Sequence, residues 1–300
     1  NVQGQRTVGI TEKVAQVPVD RLYEQFGFSV PERDGTTTVD ACEGVLSGTI
    51  KAFLSLGGNF VRATPDNHRL EPAWSKLRLT VQITTKLNRS ALVHGEKAYL
   101  LPCLGRTEMD IQASGPQYHT TEDSTACIRA WQGVVKQAGS DLRSEPAIIA
   151  ALARAVLPAN PRMDWDAWVA DYGLIRQAIA TTYPETFHDF NTRMLEPGGF
   201  HRPLPATWRE WNTDSGKANF IRPDSLALND DVEQSTERRD VLNLMTIRSN
   251  DQFNTTVYGY DDRFRGVYGT RSVIFMHRND MARLGLDEGD QVQVSTAVDD

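Results

Sequence analysis

Three short apolar runs in the first third of the chain each end on residues that do not prolong a strand. Lys51-Ala-Phe-Leu-Ser-Leu runs into Gly57-Gly58-Asn59, and Leu77-Arg-Leu-Thr-Val-Gln-Ile-Thr84 runs into Thr85 and Lys86. Lys97-Ala-Tyr-Leu-Leu101 is stopped by Pro102, which has no N–H to give a ladder. Before the first run, Val39, Cys42, Leu46, Ile50, Phe53 and Leu54 recur at helical spacing, so a helix over Thr38–Ser55 that merges into the strand is expected. Strands alternating with helical segments are the pattern of a parallel α/β sheet. In open sheets of this kind, ligands bind at the loops beyond the carboxyl ends of the strands.

Further along, Ser144-Glu145-Pro146 is a helix start, with Ile148, Ile149, Leu152 and Val156 on one face and Pro158 and Pro161 as the stop. Helical stretches follow at Trp165–Ala170 and Gly173–Thr181, ended by Pro184, so a helical insertion over about 144–192 is expected. Trp165 and Trp168 stand three apart and read as packing residues. The stretch 229–240 is a solvated charge run, and a domain boundary is placed there: 1–235 as the α/β domain, 236–300 as a second domain. In the second domain, short strands are expected at 241–248, 272–276 and 290–294, with a short helix from Asn279 between the last two. Strand, helical turn and strand in so little chain read as part of a compact β-barrel.

Composition narrows the function classes. A net charge of −7 argues against a nucleic-acid footprint. No apolar run approaches the roughly 18–20 residues of a membrane span. Cys42, Cys103 and Cys127 are far apart and odd in number, which reads as reduced thiols in a cytoplasmic protein. No Cys-x-x-Cys pair offers a zinc or iron–sulfur cradle. The start at Asn1, without Met or a leader pattern, and the end shortly after Val294 read as cuts through a longer chain.

Candidate binding residues gather at the strand ends. Gly57, Gly58 and Asn59 bring backbone N–H groups close to a ligand without interference from Cβ, or make a plain turn. Neither the dinucleotide fingerprint nor the P-loop spacing is present. Thr84-Thr85-Lys86-Leu87-Asn88-Arg89-Ser90 offers hydroxyls, an amide and two cations to a phosphate or a purine edge. The same residues also read as a solvated loop with an Asx turn at Asn88. Arg248-Ser249-Asn250-Asp251-Gln252-Phe253-Asn254-Thr255-Thr256 is so polar that it must be exposed or bound to a polar ligand.

Catalytic constellations are poor. The six histidines, His68, His94, His119, His188, His201 and His277, make no metal spacing and read as surface or capping residues. Leu101-Pro-Cys-Leu-Gly-Arg-Thr-Glu108 places a thiol, a guanidinium and a carboxylate near a strand end. With no base to assign, Cys103 reads as a buried structural thiol rather than a nucleophile.

In order along the chain, Asn1-Val-Gln-Gly-Gln-Arg-Thr-Val-Gly-Ile, Leu56-Gly-Gly-Asn-Phe, Thr84-Thr-Lys-Leu-Asn-Arg-Ser, Leu101-Pro-Cys-Leu-Gly-Arg-Thr-Glu, Ser215-Gly-Lys-Ala-Asn-Phe and Leu244-Met-Thr-Ile-Arg-Ser-Asn-Asp-Gln-Phe-Asn-Thr-Thr form a set. This set resembles the alpha subunits of molybdopterin oxidoreductases of the DMSO reductase superfamily. The resemblance is nearest to the formate-dehydrogenase-like branch, which includes acid-resistance-associated oxidoreductases, and it reads as a C-terminal piece. The resemblance implies a parallel-sheet, Rossmann-like half-domain with a helical segment, followed by part of a double-psi-type β-barrel. It also implies a bis(molybdopterin guanine dinucleotide) cofactor with molybdenum.

Carried over residue by residue, the resemblance places Gln3 and Gly4 in a loop close to the cofactor. Gly57, Gly58 and Asn59 become a phosphate or pterin loop, and Thr85, Lys86, Asn88 and Arg89 the guanosine-side loop. Ser249, Asp251, Gln252, Asn254 and Thr255 become the barrel loop that touches pterin, while Asn250 stands where this branch often has His. A small-molecule substrate and an electron-transfer partner are implied for the intact protein, with a 4Fe–4S cluster in the N-terminal region of many members. Metal-proximal residues lie outside these residues, so the chain alone is expected not to turn over substrate. The other reading is a catalytically inactive nucleotide- or pterin-binding module. An unrelated hydrolase or transferase lacks the required base and nucleophile.

Overall fold

The computed structural model describes residues 2–221, 241–250, 252–253 and 257–295. The chain divides into two compact units, residues 1–209 and 210–300. The boundary placed near 235 and the charge run of 229–240 lie outside the described residues, as do Asp251, Asn254 and Thr255.

The first unit opens with helices α1 (Val2–Thr7), α2 (Val19–Phe26) and α3 (Thr38–Leu46). Helix α3 starts on a reciprocal cap: Asp40 N donates to Thr37 Oγ1 at 3.2 Å, and Thr37 N donates back to Asp40 Oδ2 at 2.9 Å. It stops at Leu46, short of the expected Ser55. Ile50 and Phe53 keep the helical spacing but lie beyond a turn at Gly48, whose φ of 71° ends the helix.

Strand β1 (Ala52–Leu56) follows, then α4 (Phe60–Ala63), α5 (Asn67–Trp74), β2 (Leu79–Thr84), α6 (Arg89–Leu92) and β3 (Lys97–Pro102). The sheet is parallel in the order β1-β2-β3, with Leu56 beside Ile83 and Ile83 beside Leu101. All three strands therefore end on one edge. Phe53 packs on Trp74 and Phe60, with ring centroids 4.7 and 4.9 Å apart, above a core of Val45, Val61, Leu70, Trp74 and Leu77. Opposite, Ile83 packs with Cys103 and Ile148, while Leu54, Leu56 and Tyr99 stay about half exposed.

Burial pushes the Cys103 thiol up to about 11, helped by the nearby carboxylates Glu145 and Glu108. The thiolate is the reactive form. Iodoacetamide at pH 8 is therefore expected to leave Cys103 unmodified in the folded protein and to label it on denaturation. Peptide mapping with native labelling of Cys103 would contradict its burial.

After the short ladder of β4 (Ile111–Gln112) and β5 (Gly115–Pro116) come β6 (His119–Glu122) and β7 (Cys127–Trp131). The helical segment holds α7 (Glu145–Val156), α8 (Trp165–Ala170), α9 (Tyr172–Thr182), α10 (Pro184–Phe187) and α11 (Phe190–Arg193). Ser144 caps α7 by accepting from Ala147 N at 3.3 Å. Pro184 ends one helix and also occupies the first turn of the next, where its missing N–H costs nothing. Strand β8 (Phe200–His201) then returns to pair with β7, giving an antiparallel sheet in the order β6-β7-β8. Ile128, Phe187, Phe190, Met194 and Phe200 form the core between this sheet and the helices. Trp165 and Trp168 meet edge to face at 5.3 Å, as packing residues do.

The second unit carries two small antiparallel ladders, β9 (Gln252–Phe253) with β10 (Val257–Tyr258) and β11 (Asp261–Asp262) with β12 (Val267–Tyr268), and helix α12 (Arg278–Leu284). The strands expected at 241–248, 272–276 and 290–294 are not formed among the described residues, where those spans lack regular structure. Leu244, Ile247, Val273, Ile274, Phe275, Val292 and Val294 are exposed there, so the apolar spacing that suggested strands has neither ladder partners nor a covering layer. No closed barrel is present among the described residues. The short helix is found, and His277 caps it by accepting from Asn279 N at 3.2 Å. No described helix is long and apolar enough to cross a membrane.

Candidate functional site

The carboxyl edge of the parallel sheet brings two of the sequence-predicted loops together. Gly57 and Gly58 follow β1 with φ of 68° and 78°, a region open to glycine and strained for other residues. Gly57 N donates to Ile83 O at 2.8 Å, and Ser55 Oγ donates to Gly57 O at 2.7 Å. Asn88 Nδ2 reaches across from the second loop to Gly58 O at 2.9 Å. Asn59 is buried, and its Oδ1 accepts from Ser90 N at 3.2 Å and Ser90 Oγ at 3.1 Å. Ser90 Oγ in turn accepts from Val61 N at 3.2 Å. The two loops are thus cross-linked through Asn88, Asn59 Oδ1 and Ser90.

What the loops leave open is narrower than the residue list. Asn88 Oδ1 accepts from Ser90 N at 3.0 Å, so the Asx cap and the cross-loop bond occupy both ends of its amide. Arg89 forms a forked ion pair with Glu71, its Nε 2.8 Å from Oε1. That pair holds the Glu71 carboxyl below its usual range. Thr85 and Lys86 are exposed, and a Cβ on Gly57 or Gly58 would meet no atom within 4 Å. Open space over the glycines, a hydroxyl and one cation therefore face outward, while Gly57 N and both glycine carbonyls are already bonded within the protein. That set suits a phosphate or a sugar–phosphate end.

Gln3 and Gly4 stand in a different setting. They lie in helix α1 rather than in a loop, and Gln3 Nε2 donates to Glu122 Oε1 on β6 at 3.0 Å. A Cβ on Gly4 would come within 3.3 Å of Glu122 Cβ, so close helix–strand packing is what that glycine permits. In the second unit, Ser249 Oγ accepts from Arg271, and Asn250 N donates to Asp262 Oδ2 at 3.0 Å. Asp262 also accepts from Phe264 N at 3.2 Å and from Arg265 Nη1 at 2.9 Å. The Asn250 N–H and the Arg265 guanidinium hold its carboxyl below the usual range. Gln252 lies on β9.

The Cys103 segment assembles no nucleophile. Glu108 accepts backbone N–H groups of Gly105 and Ala138, both at 2.6 Å, and Arg106 lies over the Trp131 ring at 4.9 Å. Just beyond it is a buried polar network that the sequence did not announce. Tyr172 OH donates to Asp110 Oδ2 at 2.7 Å and shares a 2.6 Å bond with Ser144 Oγ. Gln112 Nε2 donates to Asp110 Oδ1 at 2.6 Å, and His119 Nε2 lies 3.4 Å from Oδ2. The other faces of His119 meet Trp131, stacked at 4.5 Å, and the edge of Tyr172. Burial pushes the Asp110 carboxyl up, but bonds from His119, Tyr172 and Gln112 outweigh it and hold the group below its ordinary value. Burial, with Asp110 beside it, raises the Tyr172 phenol. The network ties β4, β6, α7 and α9 together. Asp110, Gln112, Ser114 and Gln117, interleaved with Ile111, Ala113, Gly115 and Pro116, were the available signal, but in one dimension they read as a loop.

Residues 242–299 match the family described as the Molydopterin dinucleotide binding domain. The chain is also 42% identical over 294 residues, 98% of its length, to Protein YdeP of Escherichia coli strain K12. It is 41% identical over 296 residues to Uncharacterized oxidoreductase Rv2900c of Mycobacterium tuberculosis. Residues 242–299 therefore belong to the molybdopterin dinucleotide binding family. The chain spans 38% of the length of Protein YdeP and 37% of Rv2900c. At the sheet edge of this chain, Thr85 and Lys86 are the exposed groups beside the Gly57–Gly58 turn.

Proposed function

We propose that this chain holds part of the cofactor of a molybdenum oxidoreductase, with the sheet edge taking the nucleotide end of a molybdopterin guanine dinucleotide. The observation that carries this reading is the cross-linked pair of loops, which leaves open space over Gly57 and Gly58 beside the exposed Lys86 at the end of a parallel sheet. Thr85 and Lys86 would contact phosphate and sugar, and Gly57 and Gly58 would admit the ligand against the backbone. Asn59, Asn88 and Arg89 would act through the loops they hold rather than by touching ligand. In the second unit, the dinucleotide-binding match supports Ser249, Asp251, Gln252, Asn254 and Thr255 as the pterin-side group, on part of a double-psi-type barrel.

When bound, the metal centre supplies two-electron chemistry on a small substrate, and the protein supplies orientation and electrostatics. We extend the same reading to a bis(molybdopterin guanine dinucleotide) form, a formate-dehydrogenase-like parent and an electron-transfer partner. The resemblance of the ordered motifs supports these, and the domain boundary near 235 belongs with them.

The reading is tested by titrating GDP while following thermal unfolding. At about 100 times its dissociation constant, a ligand that binds only the folded state adds about 2.7 kcal/mol. Lys86→Ala is expected to weaken this protection without changing stability in the absence of GDP. No shift at millimolar GDP would remove the sheet edge as the nucleotide site. Metal and pterin analysis of the intact protein tests the wider reading, and an absence of molybdenum would sink it.

A further inference from the structure

The first unit contains a cavity of about 230 Å³ that no residue of the sheet-edge site lines. Its walls are Val8 from beyond α1, Ile128 on β7, Ile179 on α9, and Phe187 and Phe190 from α10 and α11. Ile128, Phe187 and Phe190 are buried members of the second core, so the space lies against that core. Protein interiors hold few spaces larger than a water molecule, and this one is partly enclosed, open to solvent on the side of Gln5. One side is polar: Thr120, Thr121 and Glu122 of β6 and the exposed Gln5 complete the lining. The charge on that side is already countered, since Glu122 Oε1 accepts from Arg202 Nε at 3.1 Å as well as from Gln3.

We propose that this cavity is a binding site for a small, uncharged, mainly apolar molecule with one hydrogen-bonding end. The size argument follows from volume. An apolar cavity of roughly 150 Å³ holds benzene, so this one takes a molecule of about ten non-hydrogen atoms. The charge argument follows from the walls: an ion among Ile128, Ile179, Phe187 and Phe190 would lose its hydration with no unmatched counter-charge to meet it. Thr120 shares its strand face with Glu122 and, across the ladder, with Ile128, so its hydroxyl sets the orientation of the polar end, as a few polar groups do in otherwise apolar sites. Gly4 lines the same space, where it lets helix α1 pack closely on Glu122.

Indole is a suitable probe, with a fused ring and a single N–H. In the full chain, ¹³C-methyl spectra recorded during an indole titration are expected to show saturable shifts at Val8, Ile128 and Ile179, with half-saturation on the order of a millimolar or tighter. GDP is expected to leave these methyls unmoved, so failure here and failure at the sheet edge are distinct results. Ile179→Phe, which extends a ring into the space, is expected to weaken indole binding by about tenfold or more with the melting temperature retained. Non-saturable shifts, shifts scattered over the surface, or full affinity in a folded Ile179→Phe protein would each overturn the proposal. If that variant does not fold, the wild-type methyl titration decides alone.

Discussion

Asp110→Ala is expected to lower stability at pH 7 by about 3 kcal/mol, because it strands several buried donors at once. Tyr172 OH and Gln112 Nε2 both donate into the Asp110 carboxylate, and His119 closes its remaining side. For a unit of this size that loss corresponds to a melting temperature lower by roughly 6–12 °C. The effect depends on pH with a definite sign. The folded-state value of Asp110 is depressed, so its contribution is full above the unfolded aspartate value of about 3.9 and is lost as pH falls through the folded value. The gap between wild type and variant should therefore narrow between pH 5 and pH 3. Urea unfolding at pH 7, 5 and 3 checks this, and a gap that widens toward acid would show that the network stabilises the protonated form instead.

The second large effect concerns the hinge of the binding reading. Asn59→Leu removes the acceptor for both Ser90 N and Ser90 Oγ, in a place nearly closed to water. Ser90 N keeps Asn88 Oδ1 as a partner, so the expected cost is limited to about 1–2 kcal/mol. The functional cost is larger in kind. With the cross-link gone, the Gly57–Gly58 turn and the Thr85–Lys86 loop lose their fixed spacing, and GDP protection should disappear. Asn59→Asp keeps an acceptor and should restore most of the stability. A folded Asn59→Leu protein that retains the full GDP shift would separate the loop geometry from nucleotide binding.

The parallel sheet was legible because each of its strands carries its own stop: Gly57, Thr85 and Pro102 mark the shared edge directly. Ser144 was legible for the same local reason, since a cap is written in adjacent residues. Helix α3 was over-extended because apolar spacing continues through Ile50 and Phe53 even though the backbone turns at Gly48. The antiparallel sheet escaped notice because β7 and β8 are far apart in sequence, and neither Cys127–Trp131 nor Phe200–His201 announces its partner. In the second unit the error ran the other way. Leu242, Leu244, Val273 and Phe275 have the composition of strands, but composition does not supply a neighbouring strand.

At the candidate site the residue types were readable and their duties were not. Lys86 and Thr85 remain open to a ligand, whereas Arg89 is committed to Glu71 and Asn88 to Gly58 and Ser90. Gln82, which helps hold the loops, carries no motif, and Ser90 belongs to the Thr84–Ser90 stretch without being marked there as a brace. Gln82 Nε2 reaches Gly58 O at 3.5 Å from within a strand, a position found only once the sheet is built. Asp262 was missed for a similar reason, since its partners Asn250 and Arg265 lie on either side of a short ladder.

The return of β8 to β7 has a consequence for how the chain assembles. Cys127 Sγ donates to Gly198 O beside that junction, between residues 71 positions apart, and the whole helical segment lies in between. Closing a flexible loop of that length costs on the order of 4 kcal/mol of chain entropy before the junction is rewarded. Helices α7 to α11 lie within that interval and follow one another closely, so their local contacts are expected to form ahead of the long-range β7–β8 seam. The core of Ile128, Phe187, Phe190, Met194 and Phe200 joins the two, and its completion is expected to coincide with the seam.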